Sequence, residues 1–228
     1  MQYYEAFMAS GKGMNIMKFK SITKKEFLWL MVAVITMGLC VSFLDKTALG
    51  TDPCTMFNLG MAEKIGLSLG NWQAFFNCVL FVFVFFFARN QIGWGTLANM
   101  FLVGYSYDFF TWLNSKWIPD EIYTHMSARI LITIPILALF ILAASLYIAI
   151  QQGTAPYDAF PYILHNLITK KTNSIPFKFV RMTWDISYCI LGLLLGSKIG
   201  IVTILIAFAL GPVISYLQKN VISRLLNN

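Results

Sequence analysis

From Ala128 to Ile150 the chain runs for 23 residues with Arg129 as its only charge. A hydrocarbon layer of ~30 Å takes about 20 helical residues to cross. Cys78 to Ala88 (CVLFVFVFFFA) is equally apolar. Such runs are too long and too apolar for one small soluble core. The charged fraction, 12%, is about half the roughly 25% of a soluble domain, and mean hydropathy is +0.67. No period-2 alternation suggests a barrel, so helices must close the backbone hydrogen bonds, and membrane lipid is the expected surrounding.

Six spans are predicted: Phe27 to Leu44, Asn71 to Ala88, Thr96 to Leu113, Ala128 to Ile150, Phe177 to Leu195 and Ile199 to Leu217. Two shorter stretches differ from these. Thr51 to Ile65 and Thr154 to Ile168 each open with a helix-start signal and then run about a dozen residues of mixed polarity. Asp52 can cap the first free N–H groups, with Pro53 at the position that needs none. Pro156 holds that place in the second stretch, where Thr154 is the candidate side-chain cap because Ala155 cannot serve. Twelve helical residues reach roughly 18 Å, about half a bilayer. A re-entrant half-helix returning through an extended stretch such as Gly66 to Gly70 fits that length, and a helix lying in the interface is the alternative.

The chain also repeats itself. Ser42, Gly50, Thr51 and Pro53 recur as Ser145, Gly153, Thr154 and Pro156 at an offset of 103, and Ile92-Gly93, Thr96 and Gly104 recur as Ile199-Gly200, Thr203 and Gly211 at 107. Four extra residues before the fifth span account for the difference. Each unit holds three crossings, an odd number, so the second copy must enter the membrane from the opposite side.

The expected fold is therefore an all-α membrane protein with six transmembrane helices and two re-entrant half-helices, arranged as two inverted three-helix repeats. Residues 1–26 form an N-terminal tail, 27–118 the first repeat with half-helix 53–65, and 119–127 an outer linker. Residues 128–218 form the second repeat with half-helix 156–168, and 219–228 a C-terminal tail.

The net charge of +7 would suggest nucleic acid in a soluble protein. Here it reads as topology, and no nucleic-acid partner is expected. With the N-terminus inside, twelve Lys and Arg fall on the inner side, while Lys46, Lys64, Lys116, Arg129 and Lys198 fall outside. That favours both termini in the cytoplasm. The first 23 residues hold no apolar region with a small-residue cleavage site, so the first span is expected to be retained. Cys40, Cys54, Cys78 and Cys189 lack C-x-x-C spacing and read as small apolar side chains rather than metal ligands or a disulfide framework. Neither a metal nor a cofactor is expected.

Acidic groups at membrane depth are costly and need an explanation. Arg181 and Asp185 lie four apart on one helical face and can neutralise each other, with Arg181 reaching toward the inner surface. The competing reading turns Asp185 toward a polar cavity. Asp108, in Gly104-Tyr-Ser-Tyr-Asp-Phe-Phe, has no basic residue at i±3 or i±4. Asp52 reads as a cap, with Thr55 in the same first turn. Asp158 sits in the first turn of the second half-helix, where the dipole favours a carboxylate. His165 follows it by seven and shares its face. Trp94, Trp112, Trp117, Tyr105 and Tyr107 read first as interfacial belts. Enzymatic motifs such as G-x-S-x-G, H-E-x-x-H or Walker A are absent from the sequence.

Taken as an ordered set, these residues resemble the YczE/YitT-type family of small bacterial membrane proteins. The resemblance rests on Leu49-Gly-Thr-Asp-Pro53, Gly66-Leu-Ser-Leu-Gly70 and Ile92-Gly-Trp-Gly-Thr-Leu-Ala-Asn99 with Gly104 and Asp108. The second copy adds Gly153-Thr-Ala-Pro-Tyr-Asp158, Arg181, Asp185, and Gly200 with Thr203 through Gly211-Pro212. It covers roughly residues 28 to 218 and implies a multi-span helical bundle in a bacterial plasma membrane, with no particular substrate. An acidic residue two places after the proline occurs only in the second copy, Thr55 standing there in the first.

Inverted repeats with a discontinuous element in each copy are the architecture in which transporters hold substrate near the midplane. The first expectation is therefore a small-molecule transporter or permease acting on an unidentified small-molecule substrate. Asp52, Thr55, Asp108, Thr154, Asp158, His165, Arg181 and Asp185 are the candidates for binding substrate or a coupling ion. The alternative is a non-transporting membrane partner or assembly factor, in which Gly38, Gly104 and Gly211 mark helix contacts. A membrane enzyme ranks below both.

Overall fold

Thr23 Oγ1 accepts the N–H of Glu26 at 3.2 Å while Glu26 Oε2 takes the N–H of Thr23 at 2.8 Å. This reciprocal cap starts the first long helix. A computed structural model describes residues 21–169 and 175–217. Most of the expected N-terminal tail, the C-terminal tail, and Lys12, Lys18, Lys20, Lys170, Lys171, Lys219 and Arg224 lie outside the described residues. Among the described residues eight α-helices follow in order: α1 Lys24–Thr47, α2 Pro53–Ile65, α3 Leu69–Phe87, α4 Trp94–Trp117, α5 Met126–Ala149, α6 Pro156–Thr169, α7 Phe177–Leu194 and α8 Ile201–Leu217. Short 3-10 turns at Arg89–Gln91 and Asp120–Thr124 join α3 to α4 and α4 to α5. The described residues contain no strand.

Each predicted span and half-helix corresponds to one of these helices. By length and composition α1, α3 and α5 are apolar enough to cross a membrane. Their outer faces suit lipid: Phe75, Phe86, Leu131 and Ile134 are all more than half exposed, an apolar surface larger than soluble monomers usually show.

One expectation fails. The residues after α2 are not extended. Gly66 takes the left-handed conformation (φ +70°) that closes the helix. Ser68 then caps α3 by accepting the N–H of Asn71 at 3.3 Å, so a three-residue turn joins α2 to α3. Irregular backbone instead lies before each short helix, at 50–52 and 153–155.

α1 packs along both α4 and α5, and α5 also meets α8. The α1–α4 contact is close because Gly38 has no side chain: a Cβ there would lie 2.6 Å from the Val103 carbonyl oxygen. At the far end of α1, the Arg129 guanidinium donates to the carbonyls of Thr47 and Ala48. Thr133 donates to the Thr47 hydroxyl at 3.0 Å. The end of α1 thus meets the start of α5, and the two run antiparallel.

The short helices cross over. α2 packs on α7, and α6 packs on α3. Phe57 meets Tyr188 with ring centroids 5.0 Å apart, Met56 lies against Gly192, and Gly60 lies against Leu195 and Ser197, so α2 runs parallel to α7. Tyr157 packs with Leu80, while Ala159 and Ile163 pack with Val84, Ala88 and Ile92, so α6 runs parallel to α3. The first turns of both short helices share one cluster, in which Cys54, Phe57, Tyr157 and Phe160 surround Leu80 and Tyr188.

Candidate functional site

The backbone before each short helix is built the same way twice. Ala48 (φ 50°) and Gln151 (φ 54°) are the left-handed non-glycine residues among those described, and they lie 103 apart. Gly50 (φ 111°) and Gly153 (φ 95°) follow at the same offset. A side chain in that conformation costs roughly 1–2 kcal/mol, so two such residues in matching places mark a constrained connection. The constraint comes from cross-contacts. Leu49 O accepts the N–H of Val202 at 3.0 Å, and Gln152 O accepts the N–H of Gly95 at 2.6 Å. A Cβ on Gly50 or on Gly153 would lie 2.5 Å from Oγ1 of Thr203 or of Thr96, respectively. Each Gly-Thr-x-Pro break is thus threaded against the Gly-containing start of the other half's last helix.

Where the breaks end, the short helices begin. Asp52 Oδ1 accepts the N–H of Thr55 at 3.0 Å and Pro53 occupies the first helical position, the cap expected from sequence. Thr154 does otherwise: its N–H reaches Gln91 O at 3.0 Å and its hydroxyl reaches Gln91 Oε1 at 3.4 Å. The expected side-chain cap of α6 is therefore directed to the loop before α4.

The charged residues converge beside these starts. Arg181 on α7 donates from Nε to Asp185 Oδ2 at 3.0 Å and from Nη1 to Asp158 Oδ1 at 2.7 Å. The sequence foresaw the first pair. The second holds the guanidinium between α6 and α7, where an escape to the inner surface was expected. Tyr157 donates to Asp185 Oδ1 at 2.7 Å and offers its ring to Arg181 at 5.2 Å. Asp52 lies within electrostatic reach of Asp158 and Asp185. Asp158 and Asp185 thus share one guanidinium. Pro161 has no N–H for the Tyr157 carbonyl, so that acceptor lacks its helical partner.

Two candidates stand apart. Asp108 Oδ2 accepts the N–H of Gly70 at 3.0 Å and so caps the start of α3. It lines a cavity of about 330 Å³ together with Asp45, Glu63, Ser68 and Tyr107. His165 lies against the start of α7: its Nε2 is 3.0 Å from Ile175 O and its ring meets Phe177 edge-on. Among the expected belt residues, Trp94, Trp112, Trp117 and Tyr105 are exposed, whereas Tyr107 is buried and donates to Asp45 at 2.6 Å. Cys78 is exposed where a buried side chain was expected.

Sequence reasoning missed Tyr157, Trp184 and Tyr188. They pack against one another in tilted and edge-on pairs with centroids 4.7 to 5.8 Å apart, beside the charge cluster. Tyr157, directly before Asp158, was the available signal.

With this geometry in hand, comparison with known proteins is informative. The family of unknown function DUF6198 matches residues 24–219. The chain belongs to this family. Among curated proteins it is 26% identical over 196 residues to an uncharacterized protein of Haemophilus influenzae, covering 86% of this chain and 84% of the relative. It is 25% identical over 200 residues to the uncharacterized membrane protein YczE of Bacillus subtilis, covering 88% and 87%. The uncharacterized protein YyaS of Bacillus subtilis is 22% identical over 200 residues, covering 87% and 94%. No solved structure matches. This DUF6198 member is thus an all-helical membrane protein of the YczE type.

Proposed function

We propose that the protein is a small-molecule transporter of the bacterial plasma membrane, built from two inverted three-helix repeats, with six crossings, two re-entrant half-helices and both termini in the cytoplasm. The observation that carries this reading is the half-buried charge cluster beside the shared start of α2 and α6. Arg181 bridges Asp158 and Asp185 there, and Asp52 caps α2 nearby. Ionisable groups at membrane depth mark substrate or ion paths, and discontinuous helices of opposite direction place them near the midplane. The twofold-repeated dihedrals and cross-contacts support the inverted repeat. The crossed packing of α2 on α7 and α6 on α3 gives each half a hold on the other, as a rocking mechanism needs. Asp52, Asp158 and Asp185 bind the cationic part of a substrate or carry a coupling proton, with Thr55 beside Asp52. Asp108 belongs to the second cavity, on the route to the site. Thr154 and His165 position α6, the former through Gln91.

A ligand screen by thermal shift on the purified protein, followed by uptake into proteoliposomes, tests this reading. Asp158→Asn and Asp185→Asn are expected to reduce uptake about tenfold or more. Asp108→Asn reduces it less. Wild-type uptake in all three variants contradicts the site. The close packing of Met56 against Gly192 favours a second reading, a membrane partner or assembly factor that moves nothing. Stoichiometric co-purification of another protein with no solute moved decides for that reading.

A further inference from the structure

The two breaks match in backbone shape but not in what fastens them. At the second, Gln152 O accepts the N–H of Gly95 at 2.6 Å, and Gln91 adds three further bonds. Its carbonyl accepts the Thr154 N–H at 3.0 Å and the Thr96 hydroxyl at 3.1 Å, and its Oε1 accepts the Thr154 hydroxyl at 3.4 Å. Thr96 Oγ1 in turn accepts the N–H of Gly93 at 3.1 Å, and Tyr147 donates to Gly95 O at 3.3 Å. Gln91 is 4% exposed, so water does not compete for these bonds.

At the matching offsets the first break keeps one of them, Leu49 O with the N–H of Val202 at 3.0 Å. Lys198 stands in place of Gln91 and is exposed, and Leu44 stands in place of Tyr147 and has no hydroxyl. Thr203 stands in place of Thr96. Its hydroxyl, on a residue 1% exposed, has no partner among the described residues, and its packing against Gly50 shuts it away from water. An unmade bond forfeits its contribution, and a buried hydroxyl without a partner adds a desolvation cost that contact with water removes. The first joint is thus the less favourable to close. One group points the other way: the Gln152 side-chain amide also lacks a partner among the described residues. That cost falls on a side chain, while the backbone of the joint stays bonded at the Gln152 carbonyl.

We propose that the joint between the first break and the start of α8 is a gate that opens, while the Gln91 joint stays shut and serves as the pivot. Opening parts Leu49 from Val202 and admits water to the Thr203 hydroxyl. Asp52 follows this break directly, so the start of α2 is uncovered with it. Left-handed backbone on both sides supplies the hinges, at Gly50 (φ 111°) and at Gly196 (φ 98°), around which an added Cβ would meet nothing within 4 Å. In an inverted repeat the two joints face opposite sides of the membrane, and the protein opens more readily toward one of them. Calling that opening a substrate path rests on the transporter reading; the opening itself does not.

Amide-resolved hydrogen exchange of the full chain in nanodiscs tests the gate. The matched donors Val202 and Gly95 each report one joint, and the Val202 N–H is expected to exchange at least about tenfold faster after correction for intrinsic rates. The same substitution at the two matched threonines acts with opposite sign. Thr96→Val removes two hydrogen bonds and speeds exchange at Gly95 about tenfold or more, whereas Thr203→Val removes an unpartnered hydroxyl and slows exchange at Val202 about threefold. Gln152→Leu, which places the first half's residue in the second, leaves exchange at Val202 unchanged within about twofold.

Exchange at Val202 equal to or slower than that at Gly95 in the wild type overturns the proposal, with no variant needed. So does unchanged or faster exchange at Val202 in folded Thr203→Val, the result for a hydroxyl that an ordered water satisfies in the closed joint. Proteoliposomes separate the two ideas. Faster exchange at Val202 in a protein that accumulates no solute leaves the gate standing and removes the transport reading. Accumulation of a solute by a protein whose two joints exchange alike does the reverse.

Discussion

Gly50 and Gly153 carry more of the architecture than any charged residue, because both left-handed backbone and close packing exclude a side chain there. Gly50→Ala and Gly153→Ala are expected to destabilise the protein by about 2–4 kcal/mol each, combining left-handed strain with overpacking against a threonine. Gly66→Ala, also left-handed but with no neighbour within 4 Å of an added Cβ, costs about 1 kcal/mol. Thermal unfolding in one detergent measures all three. In the charge cluster, Arg181→Gln leaves Asp158 and Asp185 without their shared partner. Solvent reaches this site, the Arg181 side chain being 29% exposed, so the loss is expected at about 2–3 kcal/mol rather than the ~3–5 of a sealed pair. Tyr157→Phe removes one charge-assisted hydrogen bond and costs about 1–2 kcal/mol. The Asp52 cap and the Arg181–Asp185 pair were legible in the sequence because both are local, at separations of three and four residues. The Asp158–Arg181 bond and the Asp108 cap on α3 were not, since they join residues 23 and 38 apart and no periodicity encodes which helices meet.

Among the elements, the two short helices were readable from Asp52-Pro53 and Pro156, which set their starts, and from their length. Their packing partners were not. α2 follows α1 in the chain but lies along α7, with Gly60 against Ser197. A Cβ at Gly60 would stand 3.5 Å from Cβ of Ser197, within the range a disulfide spans. Gly60→Cys with Ser197→Cys, in a background lacking the four native cysteines, is therefore expected to oxidise to an intramolecular disulfide, read by a gel-mobility shift after cleavage between α2 and α7. Failure to cross-link contradicts the crossed arrangement. The turn at 66–68 was misjudged because Gly66 to Gly70 reads as two breakers around an extended stretch, whereas Gly66 ends one helix and Ser68 starts the next. Gly38 and Gly104 do mark close helix contacts. Gly211, expected to do the same, lies outside the residues whose packing is described.

For the whole molecule, contacts come in pairs: Leu49 with Val202 and Gln152 with Gly95, α2 on α7 and α6 on α3. The halves are not equal, and their differences fall where the proposed chemistry lies. Asp158, Arg181 and Asp185 have no charged counterparts in the first half, where Thr55, Ala74 and Cys78 stand at the matching offsets. The proposed duplication was drawn from sequence offsets, and the paired dihedrals at 48 and 151 and at 50 and 153 support it.

The account depends on two short helices that leave a common depth for opposite membrane faces. Side-specific labelling with a membrane-impermeant maleimide tests it directly, using single cysteines at Lys64 near the end of α2 and at Thr169 at the end of α6, in sealed vesicles of known orientation. Lys64→Cys is expected to react only from outside and Thr169→Cys only from the cytoplasmic side. Labelling of both from one side contradicts the inverted repeat and, with it, the placement of the site.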